Sequence, residues 1–287
     1  GKDVERIEVE SGRVRGALFK PKGPGPFPGV IDMFGTAGGL IEIRAAMLAS
    51  HGFACYALPY FNYKDLPRDL SMLEAEYFRD AVDWLCDQPF VKPGGIGMVG
   101  TSAGANNSLL TASLFAEKVN AVVSINGSHT LSSPMTLNGV EFPYNPFDGR
   151  FIKETEVKGL YDMLDCWKAM YKVPDEDGSV FKLENNPKCK FLFLVGEGDR
   201  GWDSCYYAKK NMERLERYGC TNYQLLSYPD AGHLLEIPWA PVGSSFFSPA
   251  FSKRSHHLRK MGREGFCFYH DDGGHLLNGH LLFYGIL

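Results

Sequence analysis

Five almost uninterrupted apolar runs, at 29–34, 53–58, 95–99, 121–125 and 191–195, limit what this chain can fold into more than any other feature. A strand with one wet face alternates apolar and polar residues. A strand that is apolar nearly throughout is covered on both faces, as in a parallel sheet held between two layers of helices. The intervening segments can supply those layers, because 41–50, 70–87, 105–115, 161–170 and 204–218 carry apolar residues at three- and four-residue spacing. Segments 6–9 and 14–19 alternate instead around Ser11-Gly12, which predicts a short antiparallel entry, and 223–228 predicts a last strand. The expected fold class is α/β: a mostly parallel, doubly wound sheet flanked by helices. A length of 287 residues suits one large domain. Segment 131–186 is longer than one crossover requires and is expected to be an insertion that shapes a substrate pocket.

Within this frame one pentapeptide carries chemistry. Gly100-Thr101-Ser102-Ala103-Gly104 follows the run 95–99 and precedes the helical segment 105–115, the strand, sharp turn and helix of a nucleophile elbow. Small residues two before and two after Ser102 let the backbone turn tightly and leave Oγ exposed. Serine is a weak nucleophile at neutral pH, so a base must take its proton and a carboxylate must orient that base. Run 191–195 ends in Gly196-Glu197-Gly198-Asp199, which places Asp199 beyond the carboxyl end of a strand, where the active edge of such a sheet lies. Glu197 and Asp203 are the alternatives, Asp203 reading more simply as a helix N-cap. His233 follows the last strand in Pro229-Asp230-Ala231-Gly232-His233, with His129 as its competitor. The chain order Ser102, Asp199, His233 is that of α/β-hydrolases. The expected oxyanion donors are the amides of Ala103 and of Thr36 or Ala37, in the loop Gly35-Thr36-Ala37-Gly38-Gly39 after the run at 29–34.

Composition narrows the partners. A net charge of −4 with scattered Lys and Arg offers no field for nucleic acid. Lys209, Lys210 and Arg214 read as a solvated helix face, with contact to substrate phosphates as the alternative. Seven widely spaced cysteines, several in apolar runs, fit free thiols and a reducing intracellular compartment, the cytoplasm first and mitochondrion or peroxisome as alternatives. No apolar stretch reaches a membrane span, and 1–10 lacks the parts of a signal peptide, so the chain is expected to be soluble. Gly94-Gly95-Ile96-Gly97 lacks the spacing for a dinucleotide, and His256, His257, His270, His275 and His280 have no companion ligands at a familiar spacing. Neither a cofactor nor a metal is expected. The sequons at Asn106 and Asn126 read as accidental, since one lies in the elbow helix and the other follows a buried run.

From about Arg13 to Pro241 the chain resembles the catalytic domain of the type I acyl-CoA thioesterase and bile acid-CoA:amino acid N-acyltransferase family. The likeness rests on Gly12-Arg13-Val14-Arg15-Gly16, on Pro26-Phe27-Pro28-Gly29-Val30-Ile31-Asp32-Met33-Phe34-Gly35-Thr36, and on Tyr60-Phe61-Asn62-Tyr63-Lys64-Asp65-Leu66-Pro67. Further matches are Ile125-Asn126-Gly127-Ser128, Phe191-Leu192-Phe193-Leu194-Val195-Gly196-Glu197, Tyr228-Pro229 and Gly232-His233. The resemblance implies an α/β-hydrolase fold, the triad Ser102, Asp199 and His233, and cleavage of a fatty or related acyl group from coenzyme A, which is part of the substrate and not a cofactor. It also implies Ser102 where conjugating members carry cysteine, and a serine ester favours water over an amino acid as acceptor. Transfer to an amino acid, oxygen-ester hydrolysis and an idle binding module are the rival readings. Ala103 and Asn106 stand where the family has a larger polar residue and an acid, which implies an altered pocket or a divergent branch. The family's front β-sandwich domain has only 1–12 in its place, so a truncated chain is expected. A catalytic domain is read over 1–249 and an atypical tail over 250–287, rich in His, Gly, Lys and Arg and ending Gly285-Ile286-Leu287 in place of a peroxisomal Ser-Lys-Leu.

Overall fold

The computed structural model describes residues 3–156, 161–229 and 231–235. Eight strands build the main sheet: β1 (Val4–Ser11), β2 (Val14–Pro21), β3 (Gly29–Met33), β4 (Ala54–Ala57), β5 (Ile96–Thr101), β6 (Val119–Ile125), β7 (Lys190–Gly196) and β8 (Tyr223–Tyr228). Their spatial order is β1-β2-β4-β3-β5-β6-β7-β8. β1 is antiparallel to β2, and β2 to β4; every other neighbouring pair is parallel. The expected doubly wound sheet with an antiparallel entry is the one observed.

Every residue of β3, β4 and β5 is buried, which is why their sequences do not alternate. Successive side chains still point to opposite faces. Ile31, Met98, Val122, Phe191 and Phe193 join a core beneath α2 (Ala75–Cys86), α3 (Ala103–Leu114) and α4 (Ser204–Arg217), whereas Val30, Val99, Val123, Leu192 and Leu194 join a core beneath α1 (Ile43–Ser50). The chain leaves β3 for α1 on one face and β5 for α3 on the other. This divergence opens a crevice at the carboxyl ends of β3 and β5, where ligands of open α/β sheets bind.

Two helical expectations are revised. The segment expected as one helix over 70–87 begins with a 3₁₀ turn, Leu70–Met72, capped by the Asp69 carboxylate accepting from Ser71 N at 2.8 Å. Leu73 then pairs with Met135 of the insertion, so the α-helix proper starts only at Ala75. The helix expected over 161–170 is a kinked 3₁₀ stretch, Leu164–Lys172, preceded by the short strand Tyr161–Asp162. Its break is at Trp167, whose indole N–H donates 2.9 Å to Gly201 O outside the segment, a tertiary bond that outweighs helical periodicity. Elsewhere the insertion is stitched to the domain by Phe181 N–H to His129 O at 3.1 Å, and is closed on itself by Leu131 N–H to Ser179 O at 2.8 Å.

Helix α3 is buried on every side from Ala103 to Ser113 although half of these residues are polar. Ser108, Thr111 and Ser113 return their hydroxyls to the carbonyls of Gly104, Asn107 and Leu110 at 2.9, 2.6 and 2.8 Å, which satisfies them without water. The helix can lie this deep because Gly104 presses against the end of β3. A β-carbon there would stand 2.5 Å from Phe34 O and against Met33 O. Glycine to alanine in a helix interior normally gains about 1 kcal/mol; Gly104→Ala is expected instead to lose roughly 1–3 kcal/mol through overpacking, read as a lower urea midpoint at unchanged m-value.

Candidate active site

Ser102 sits between β5 and α3 at φ 58° and ψ −123°, a conformation that costs a non-glycine residue roughly 1–3 kcal/mol and persists only where its surroundings enforce it. Here the enforcement is visible. Ser102 N–H donates 2.9 Å to Ile125 O on β6, and Ser102 O accepts 3.1 Å from Asn106 N–H on α3. Gly100 faces the backbone of Gly104 so closely that a β-carbon would lie 2.5 Å from Ala105 N. The small residues on either side of the serine are therefore required by space.

The Oγ of Ser102 lies 2.9 Å from His233 Nε2, and His233 Nδ1 lies 2.8 Å from Asp199 Oδ2. All three residues are at most 7 % exposed. Asp199 is further held through Oδ1, which accepts from Gly201 N–H at 2.8 Å and Trp202 N–H at 3.4 Å, while Ser204 Oγ–H donates to Oδ2. These neutral donors stabilise a buried carboxylate without competing cations. Trp202 stands edge-on to the imidazole at 5.6 Å and shields it from solvent.

Gly35 packs against Ser102, its Cα so placed that a β-carbon would lie 3.4 Å from Ser102 Oγ. Tyr60 OH steadies this loop by donating 2.7 Å to Phe34 O and 3.3 Å to Gly35 O. Thr36 and Ala37 follow on the same half-buried turn, and Ala103 opens α3 directly after Ser102. Beneath the turn lies a buried ion pair. The Arg44 guanidinium on α1 donates to Asp32 Oδ1 on β3 at 2.8 and 2.5 Å, to Thr101 Oγ1 at 2.7 Å and to Met33 O at 3.2 Å. It ties the end of β3 to the residue before Ser102. Burial lifts the Asp32 carboxyl above its ordinary range, with Arg44 opposing.

The competitors are placed elsewhere. Asp203 accepts from Tyr206 N–H at 3.0 Å as the N-cap of α4 and from Tyr171 OH at 3.0 Å, and Glu197 accepts from Ser227 OH. His129 stacks on Tyr207 at 5.2 Å, its Nδ1 without a hydrogen-bond partner. Arg214 is not part of a solvated face, being buried with Glu184 at the end of α4, and Lys209 and Lys210 pair with Glu213. Among the described residues no group of three or more His, Cys, Asp or Glu could hold a metal. His256, His257, His270, His275 and His280 lie outside the described residues, as does the 250–287 tail. The two sequon asparagines, Asn106 and Asn126, are buried at 2 % and 0 % exposure, out of reach of a glycosylating enzyme in the folded chain. Composition and motif spacing passed over Asn126, Gly201, Trp202 and Ser204 as supports of the site; the Ile125-Asn126-Gly127-Ser128 motif was the one available signal.

The family model described as BAAT / acyl-CoA thioester hydrolase C terminal matches residues 73–257. The chain belongs to that family. It is 41 % identical over 240 residues to human acyl-coenzyme A thioesterase 1, covering 83 % of this chain and 56 % of that protein. Mouse acyl-coenzyme A amino acid N-acyltransferase 1 is 39 % identical over 254 residues, covering 88 % and 59 %. The chain thus spans little more than half the length of these relatives. Among solved structures, a putative dienelactone hydrolase from Klebsiella pneumoniae subsp. pneumoniae MGH 78578 superposes with a TM-score of 0.51 at 15 % identity, covering 80 % of this chain and 87 % of that one. The shared architecture is the α/β-hydrolase fold.

The buried His129 is a group whose titration acts on stability. Burial, reinforced by the Lys210 charge, pushes the His129 imidazole down to about 4 from an ordinary 6.5. Between those values the unfolded chain binds a proton that the folded chain refuses, so the fold loses stability as pH falls through this window. From pH 7 to pH 5 the loss assigned to His129 is about 2 kcal/mol. His129→Phe keeps the stacking on Tyr207 and is expected to remove that part of the acid sensitivity, measured as the difference between wild-type and variant urea unfolding free energies at the two pH values.

Proposed function

We propose that this chain hydrolyses acyl-CoA thioesters to free acid and coenzyme A through an acyl-enzyme on Ser102. The observation that carries the reading is the hydrogen-bonded line from Ser102 Oγ through His233 to Asp199, within 2.9 Å at each step. In the first step His233 Nε2 takes the hydroxyl proton as Ser102 Oγ attacks the thioester carbonyl. An ionised Asp199 can only accept, which leaves the remaining proton on His233 Nδ1 and the lone pair of Nε2 facing the serine. The oxyanion that forms would be held by the Ala103 amide at the start of α3 and by the Thr36 or Ala37 amide on the loop steadied by Tyr60. Losing one such donor typically costs roughly 3 kcal/mol of transition-state stabilisation. Collapse breaks the C–S bond, and the imidazolium gives its proton to the departing sulfur. Water, deprotonated by His233, then attacks the serine ester, and the acid leaves as the hydroxyl is restored.

A catalytic unit over 1–249 with an insertion at 131–186 accords with this role, because the insertion reaches the acid loop through Trp167 and through an Arg200–Asp162 ion pair at 2.5 Å. The six described cysteines are free, which supports a reducing compartment. No helix among the described residues is long and apolar enough to cross a membrane. Acyl transfer to an amino acid is the second reading, favoured by the likeness to the mouse amino acid N-acyltransferase.

Thiol release from short-, medium- and long-chain acyl-CoA is expected from the wild type, and Ser102→Ala is expected to lower kcat at least ~10²-fold. Adding glycine or taurine separates the two readings: free acid alone supports hydrolysis, and an N-acyl conjugate supports transfer. Release from oxygen esters but from none of the thioesters would replace both with a carboxylesterase.

A further inference from the structure

Asn126 follows β6 in the left-handed region, at φ 47°, and is fully buried. Every polar atom it owns is engaged, with partners on β7, on the loop that carries Asp199 and on the loop that carries His233. Its backbone N–H donates 2.8 Å to Leu194 O, and its side-chain Oδ1 accepts 2.9 Å from Gly196 N–H, both on β7. Its backbone carbonyl accepts 2.9 Å from the Trp202 indole on the acid loop. Its Nδ2 donates 2.9 Å to Gly232 O and 2.8 Å to His233 O. The preceding carbonyl, Ile125 O, accepts from Ser102 N–H at 2.9 Å. Two consecutive residues thus touch the loops that carry all three members of the Ser102–His233–Asp199 line.

We propose that Asn126 is the positioning residue of this site: its carboxamide holds the His233 backbone in the register at which the imidazole spans Ser102 and Asp199. This rests on the reading of those three residues as the catalytic triad, and goes beyond it by assigning a role to a residue that touches none of the reacting atoms. Only one side chain meets the demands of the position. The site needs one acceptor facing Gly196 N–H and two donors facing the Gly232 and His233 carbonyls, on a stem short enough for a left-handed backbone. Aspartate keeps the stem and tolerates the backbone but sets oxygens against two carbonyls. Glycine keeps the backbone and loses all three bonds.

The consequence is kinetic. A displacement of about 1 Å in catalytic geometry can cost ~10²-fold in rate. Asn126→Asp and Asn126→Gly are therefore expected to lower kcat by between ~10-fold and ~10²-fold while KM stays within about twofold, since Asn126 is fully buried. The downfield proton resonance of the His233 Nδ1–H shared with Asp199 should broaden or vanish in both. Leu85→Ala, buried in α2 and without a hydrogen-bonding side chain, serves as a destabilised control, with an expected loss of roughly 2–5 kcal/mol. It should keep both kcat and the resonance once measured below its own melting temperature.

The experiment uses the full chain, acyl-CoA turnover, and in parallel the rate at which a fluorophosphonate modifies Ser102, a reaction that needs the triad but no thioester. Loss of kcat, labelling rate and resonance in the Asn126 variants but not in Leu85→Ala supports the proposal. Wild-type values of all three in either Asn126 variant, or losses that merely follow the folded fraction, overturn it. A wild type that is labelled at Ser102 yet turns over no acyl-CoA overturns the thioesterase reading alone, and the labelling rates and resonance of the variants then decide the role of Asn126.

Discussion

The contact on which the rest depends is the one between Gly104 and the end of β3. The first turn of α3 rests on the carbonyls of Met33 and Phe34 with no side chain between them. That approach lets the chain reverse from β5 into α3 within one residue and holds Ser102 in its strained conformation. It also brings the loop after β3 beside the nucleophile, with Gly35 against Ser102 and Tyr60 fixing the loop's carbonyls. Ser102 and the candidate oxyanion donors are therefore positioned by one packing event. Arg44 reinforces it from below, because its bonds to Asp32, Met33 and Thr101 join the strand before the loop to the strand before the serine. A buried guanidinium whose carboxylate partner is removed costs roughly 3–5 kcal/mol, so this pair resists any slippage of β3 against β5.

On the other side of the nucleophile the constraint is polar. Asp199, His233 and their loops are ordered by uncharged donors and acceptors: the amides of Gly201 and Trp202, the Ser204 hydroxyl, two indoles and the Asn126 carboxamide. The arrangement leaves the carboxylate charge available to one partner, the imidazole. The insertion contributes to this half of the site, since Trp167 fixes Gly201, whose amide is itself a donor to Asp199. Its aromatic cluster with Trp202 and Tyr207 keeps water from the acid.

The sheet was legible in the amino-acid order because a strand buried on both faces leaves an apolar run that nothing else explains, as at 191–195, where Phe191 and Phe193 enter one core and Leu192 and Leu194 the other. Helices were legible where packing follows periodicity and not where a distant partner intervenes. Leu73 leaves the helical pattern to pair with Met135, and Trp167 breaks it to reach Gly201. The three side chains that the structure brings into hydrogen-bond contact stood out because each follows a strand and their order along the chain is restrictive. Asn126 did not stand out, because its role is made by partners 70 and 107 residues away, which no local pattern contains. Asp32 is a similar case: a carboxylate inside an apolar run signals a buried partner but does not say that the partner is Arg44.

The central claim, that Ser102 forms the covalent intermediate, is tested most directly by rapid acid quench of the protein with a long-chain acyl-CoA, followed by intact-mass and peptide mass spectrometry. The expected result is a species heavier by one acyl group in place of one hydrogen, mapped to the peptide bearing Ser102 and absent from Ser102→Ala. Coenzyme A release with the acyl group found on another residue, or undiminished in Ser102→Ala, would contradict it.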